Sequence, residues 1–129
     1  MKKHKIEVSS GEVLDKVSIL EIKRRHATSK DVYENVSNEF FSLWDVYYNL
    51  ILDNGNEIQI LYDQLSKVNQ TLWNVENDLR KKESQSSFDN EFIQLARKVY
   101  EENDKRAKIK REINLLTKSE IVEEKIYAE

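Results

Sequence analysis

The chain has no cysteine and no proline, and only two glycines among its 129 residues. Without thiols there is no disulfide framework and no thiolate nucleophile, which agrees with a reducing compartment and makes a cytoplasmic location the expectation. Without proline, and with glycine only at Gly11 and Gly55, little interrupts a helix, since proline costs ~3 kcal/mol and glycine ~1 kcal/mol in a helix interior. No apolar run approaches the ~18 residues of a membrane span. The Lys2-Lys3-His4-Lys5 start leads into Ile6-Glu7-Val8 rather than an apolar signal core, so no membrane partner is expected. A basic surplus is also lacking. Twenty-one Lys and Arg face 24 Asp and Glu, a formal charge of −3, which argues against nucleic acid as a general partner. His4 and His26 are far apart in sequence, without an H-x-x-x-H spacing, so zinc has no evident site and no cofactor is expected. A serine nucleophile would lack its orienting histidine, and Asp53-Asn54-Gly55 lacks the other ligands of a calcium loop.

What is present is charge and helical spacing. Charged residues make up 35% of the chain and hydrophobic ones 39%, enough for one helical domain over residues 1–129. Ser9 with Glu12 forms a capping box and starts helix one, which runs to about Ala27 with Lys23, Arg24, Arg25 and His26 in its last turn. Thr28 or Ser29 caps helix two. There Val32, Tyr33, Val36, Phe40, Phe41, Leu43, Trp44, Tyr47, Tyr48, Leu50 and Ile51 cover an arc of roughly 200°, more than one neighbour requires. The arc must touch two helices or another subunit, and in the second case Phe41, Trp44 and Tyr48 are the expected interface of a homodimer. Asp53-Asn54-Gly55-Asn56 ends the pattern with a residue that tolerates positive φ, and so short a connection implies antiparallel neighbours. In helix three, Ile58, Leu61, Leu65, Val68, Leu72, Val75 and Leu79 step by three and four, a coiled-coil-like seam for a partner helix. A polar turn around Ser84 to Ser87 and a serine or aspartate cap start helix four, which folds back along that seam with Phe88, Phe92, Leu95, Ala96 and Val99. Thr117 or Ser119 with Glu120 predicts a short last helix bearing Ile121, Val122 and Ile126. The fold class expected is therefore all-α, an antiparallel helical bundle with a long helix-three/helix-four hairpin and a short C-terminal helix.

The anomaly lies in helix four. After Val99 its apolar face continues with Asn103, Arg106, Ala107, Lys110 and Asn114. Either the helix projects past the bundle and the cations lay their stems on the core, or these residues line a pocket. In the second reading Arg24, Asn69, Asn103, Arg106 and Lys110, with Glu21 as counter-charge, hold a small anion, because guanidinium forks grip carboxylate or phosphate and amides fix its orientation. Glu76 and Arg80 make an ordinary i, i+4 pair, and Trp73 is expected to pack.

Three stretches, Val8 to Lys23 (VSSGEVLDKVSILEIK), Leu61 to Arg80 (LYDQLSKVNQTLWNVENDLR) and Phe92 to Asn114 (FIQLARKVYEENDKRAKIKREIN), together resemble an uncharacterised family of small bacterial proteins. That family is a domain of unknown function sometimes found with glycosyltransferase or tetratricopeptide modules. The resemblance implies that Glu12, Asp15, Lys16, Glu21, Lys23, Asn69, Trp73, Glu76, Arg80, Arg97, Asn103, Asp104, Arg106, Lys110 and Asn114 belong to a shared pattern, which favours a polar site between helices. A looser likeness to the helical chorismate mutases carries no residue across. The function expected is an accessory or binding module for a small anionic ligand. The alternatives are a cofactor-independent enzyme with Glu21 or Glu76 as general acid or base, and a purely structural dimerisation domain.

Overall fold

The computed structural model describes residues 2–128. Four helices follow one another: α1 (Ser10–His26), α2 (Lys30–Ser42), α3 (Trp44–Ser84) and α4 (Asn90–Leu116). Three starts carry the side-chain caps that the sequence predicts. Ser9, Ser29 and Asp89 accept from the amides of Glu12, Val32 and Phe92 at 3.1, 3.2 and 3.0 Å. The predicted helix two is interrupted at Leu43, whose amide turns back to the carbonyl of Phe40 (3.1 Å) in a 3₁₀-type step.

Helical geometry lapses inside α3 at Gly55, with φ 68° and ψ −151°. The rings of Tyr47 and Tyr62 lie 5.2 Å apart across this point, whereas fifteen residues of unbroken helix would separate them by ~22 Å. The chain thus doubles back at Gly55, as the Asp53-Asn54-Gly55 signal requires, and α3 consists of two arms, residues 44–54 and 56–84. Asn54 finishes the first arm by donating its side-chain amide to the carbonyl of Leu50 (2.8 Å).

The core forms where all elements meet. Leu14, Val17 and Leu20 of α1, Phe40 of α2, Ile58, Tyr62 and Leu65 of α3, and Ile113 of α4 make one buried cluster. The Ile58 to Leu79 seam finds its partner in α4 of the same chain. That hairpin outreaches the body: the second arm of α3 is ~43 Å long against ~25 Å for α1, and between residues 71 and 101 only Val75 is buried. Phe88 and Ile93 stay exposed near the tip. On the opposite flank Phe41, Trp44 and Tyr48 are 60, 41 and 50% exposed.

The predicted short C-terminal helix is absent, and the ending of α4 explains why. Lys118 takes positive φ (54°), and the amides of Lys118 and Ser119 return to the carbonyls of Leu115 (3.3 Å) and Asn114 (2.8 Å). This is a Schellman closure. Ser119 cannot then cap anything further: its hydroxyl accepts from the amide of Ser10 (3.2 Å) and donates to the carbonyl of Ile121 (2.8 Å). Residues beyond it run without regular structure back along α4, where Glu124 meets Arg111, and Lys125 and Tyr127 both meet Asp104. Residues 2–8 have no regular secondary structure.

Candidate ligand-binding site

Gly11, Asp15 and Ser18 share one face of α1 at i, i+4 and i+7 and are all buried against α3 and α4. Asp15 is the hub, at 1% exposure. One carboxylate oxygen accepts from the Asn69 amide and from Arg106 Nε, both at 2.9 Å, and the other accepts from Arg106 Nη2. The forked arrangement matches both oxygens to one guanidinium, and the carboxylate in turn pushes the Arg106 pKa above its ordinary value. Asn69 also donates to Ser18 Oγ (2.6 Å), whose hydroxyl donates to the carbonyl of Asp15 (2.9 Å). Lys110 Nζ lies 3.7 Å from Asp15 and 2.8 Å from Glu12. The Glu12 carboxylate is therefore drawn to α4 rather than back to the amide of Ser9, and only the forward half of the capping box forms.

Gly11 sets how closely α1 approaches α4. Its amide donates to Asn114 Oδ1 at 2.7 Å, and a Cβ there would lie 2.7 Å from the backbone oxygen of Lys110. No other residue fits without a shift. The result is a polar clip across three helices. Among the described residues the single buried side-chain polar atom without a hydrogen bond is Ser66 Oγ, so the clip leaves no desolvated group unanswered.

Outside the clip, a cavity of about 430 Å³ opens between the outer face of α4 and the C-terminal segment. Asn103, Arg106, Lys110 and Arg111 line it from α4, and Glu123, Glu124, Lys125 and Tyr127 from the segment. Each of its cations faces a carboxylate of the chain: Arg106 faces Asp15, Lys110 Glu12, Arg111 Glu124 (3.0 Å) and Lys125 Asp104 (3.1 Å). Glu123 lies 3.9 Å from Lys110 and accepts from the Asn114 amide at 3.2 Å. Burial works to raise its pKa, yet the Ser9 hydroxyl, Lys110 and Asn114 together hold it below the ordinary carboxylate value.

The predicted binding residues therefore divide. Asn103, Arg106 and Lys110 line the cavity, while Asn69 stands behind it, spent on Asp15 and Ser18. Glu21 and Arg24 do not join them. They lie six and nine residues beyond Asp15 on α1 and line a separate depression with Arg25 and Tyr33. Glu21 accepts from the Tyr62 hydroxyl (3.0 Å), whose pKa is raised by burial and by that carboxylate, and Arg24 turns to α2. Glu76 and Arg80 are exposed on α3, and Trp73 is half-buried with its ring 4.9 Å from that of His26. Helical spacing reaches Asn114 and the capping box reaches Glu12, Asp15 comes only through the family resemblance, and Ser18, Arg111 and Glu123 are missed. The signal for Asp15 and Ser18 lies in their spacing: with Gly11 they recur at i, i+4 and i+7, a stripe beside the face that carries Leu14 and Val17.

Comparison with known families matches residues 4–129 to a family of unknown function, DUF6165. The chain belongs to the DUF6165 family. The match covers the whole length over which the clip and cavity are built, from Ser9 to Tyr127. No curated protein and no solved structure matches it. No helix among the described residues is long and apolar enough to cross a membrane.

Proposed function

We propose that this DUF6165 chain is a binding module, working in the cytoplasm, that holds a small anionic ligand on the α4 row of Asn103, Arg106 and Lys110. One observation carries the reading: carboxylates of the chain's own C-terminal segment already sit against the cations lining this cavity, Glu123 beside Lys110 of the row and Glu124 on the adjacent Arg111. The surface is thus shaped to receive carboxylate-like groups, and a ligand anion would compete with the C-terminal segment for it. The clip beneath fixes the Arg106 stem and fork, so ordering costs less on binding than for a free side chain. Association with glycosyltransferase or tetratricopeptide modules in bacteria would suit an accessory role.

Thermal-shift screening with phosphates, dicarboxylates and nucleotide sugars tests the proposal. A saturable rise in melting temperature that disappears in Lys110→Gln supports it. If no compound in these classes raises the melting temperature above a chloride control of equal ionic strength, the proposal fails. The enzymatic alternative gains little from the geometry, because neither Glu21 nor Glu76 lines the cavity. A homodimer through Phe41, Trp44 and Tyr48 draws on a different observation, the exposure of three large aromatics on one flank. Sedimentation of the wild type and Trp44→Ala decides it, with monomeric wild type as the contrary result.

A further inference from the structure

We propose a second oxyanion site at the end of α1, independent of the α4 row, in which Arg24 and Arg25 hold the phosphate group of a small ligand. The contrast with the main cavity is one of charge balance. There each cation faces a carboxylate, whereas Arg24 and Arg25 hydrogen-bond only neutral acceptors among the described residues: Arg24 reaches Ser37 Oγ (3.2 Å) and the Tyr33 hydroxyl (3.1 Å), and Arg25 reaches Gln70 Oε1 (3.0 Å). Both line a surface depression of about 380 Å³.

Arg24 is also preorganised. Its guanidinium carbon lies 4.7, 5.1 and 5.6 Å from the ring centres of Phe40, Phe41 and Tyr33, so an aromatic cradle fixes the plane of the fork. Of its five N–H groups two are engaged, which leaves three for a ligand. The Tyr33 oxygen accepts from Arg24 and keeps its own proton to give. The hydrogen bond from Arg24 lowers the Tyr33 pKa, which makes that proton a better donor. Two guanidinium forks and a phenol supply more donors than one carboxylate can accept, and a tetrahedral dianion with three or four oxygens uses them better. Two features oppose an anion here, the Glu21 carboxylate at the rim and the carbonyl end of the α1 dipole. Glu21 is partly answered by the Tyr62 hydroxyl, and Lys23 and His26 share the last turn with the two arginines.

Calorimetric titration of the full chain with inorganic phosphate, at ionic strength held constant with chloride, tests the site. Lys110→Gln, which disables the α4 row, is expected to bind one equivalent saturably, with or without Lys98→Gln at an exposed α4 residue outside both sites, and Arg24→Lys or Arg25→Gln added to it to weaken that binding at least tenfold. Arg25 is exposed, so Arg25→Gln decides the matter alone if Arg24→Lys does not fold. Absence of saturable binding in Lys110→Gln overturns the proposal, and if the wild type still binds, that binding belongs to the α4 row and the first proposal stands while this one falls. Binding in Lys110→Gln that survives both arginine variants also overturns it.

Discussion

Arg106→Ala should be the most damaging single change on the polar side of this protein. The side chain of Asp15 is 2% exposed and that of Arg106 30%, so removing the arginine strands a carboxylate that water cannot reach. Breaking a buried pair from one side costs about 3–5 kcal/mol, far above the 0–1 kcal/mol of an exposed pair. The upper half of that range assumes that Lys110, 3.7 Å away, gives little help. At ~4 °C per kcal/mol for a chain of this size, the melting temperature should fall by about 12–20 °C. Asp15→Asn should cost less, ~1–3 kcal/mol, because the arginine left behind can turn to solvent and the asparagine retains one acceptor for Asn69. Urea denaturation of the two variants beside wild type measures both values. The reasoning is refuted if Arg106→Ala costs under ~1 kcal/mol, the value of a solvated pair, or if Asp15→Asn proves the worse of the two.

Four smaller effects follow from the backbone and the C-terminal segment. Gly11→Ala should destabilise by about 1–3 kcal/mol despite alanine's better helix propensity, since the new Cβ meets the α4 backbone; equal or higher stability in urea would contradict the close approach. Gly55→Ala meets no atom within 4 Å, so its cost of ~1–3 kcal/mol should come from backbone conformation alone, and thermal unfolding that is unchanged would count against the reversal at this residue. Ser86 and Lys118 hold positive φ at the two Schellman closures, and glycine at either should raise stability by about 1 kcal/mol, read from the urea midpoint. Glu123 has a folded-state pKa below its unfolded value, so its contribution is complete above the ordinary carboxylate pKa of ~4.3 and is lost as pH falls through the lower folded value. Amide shifts of residues 119–127 should titrate with a midpoint below that of a free glutamate and stay flat in Glu123→Gln, whereas a midpoint at or above it would show the segment unattached to the clip.

How much of this was legible depended on the range of the signal. Ser9, Ser29 and Asp89 announce helix starts through bonds three residues long, and Gly55 announces a reversal through its own φ, so all four stand in the sequence. The Ile58 to Leu79 seam and its pairing with α4 follow from spacing and a short turn. The ending of α4 was different: its left-handed residue is a lysine, which no propensity marks as a stop, and the Ser119-Glu120 pattern of a cap was misleading because Ser10 claims that serine. Helical face alone places Arg106 and Lys110 together but cannot separate Arg24, whose guanidinium lies over the α2 aromatics. Asp15 escaped because its partners are remote in sequence, and a single acidic residue in an apolar face carries no sign of which cation will reach it.

The clip also has a bearing on how the protein is made. Its contacts to α4 and the segment after it join residues 91 to 109 positions apart: Asp15 to Arg106, Glu12 to Lys110, Gly11 to Asn114 and Ser10 to Ser119. The α3/α4 hairpin closes over a short turn, but α1 is synthesised first and can find its α4 partners only after nearly all of the chain has left the ribosome. Until then Asp15 lacks its guanidinium partner, and α1 has only its contacts to α2 and α3, those of Asn69 to Asp15 and Ser18 among them. Loop-closure entropy places such long-range contacts late on the folding route. Damage to the clip should therefore appear mainly as faster unfolding, with the folding rate set by the helical arms that assemble before it.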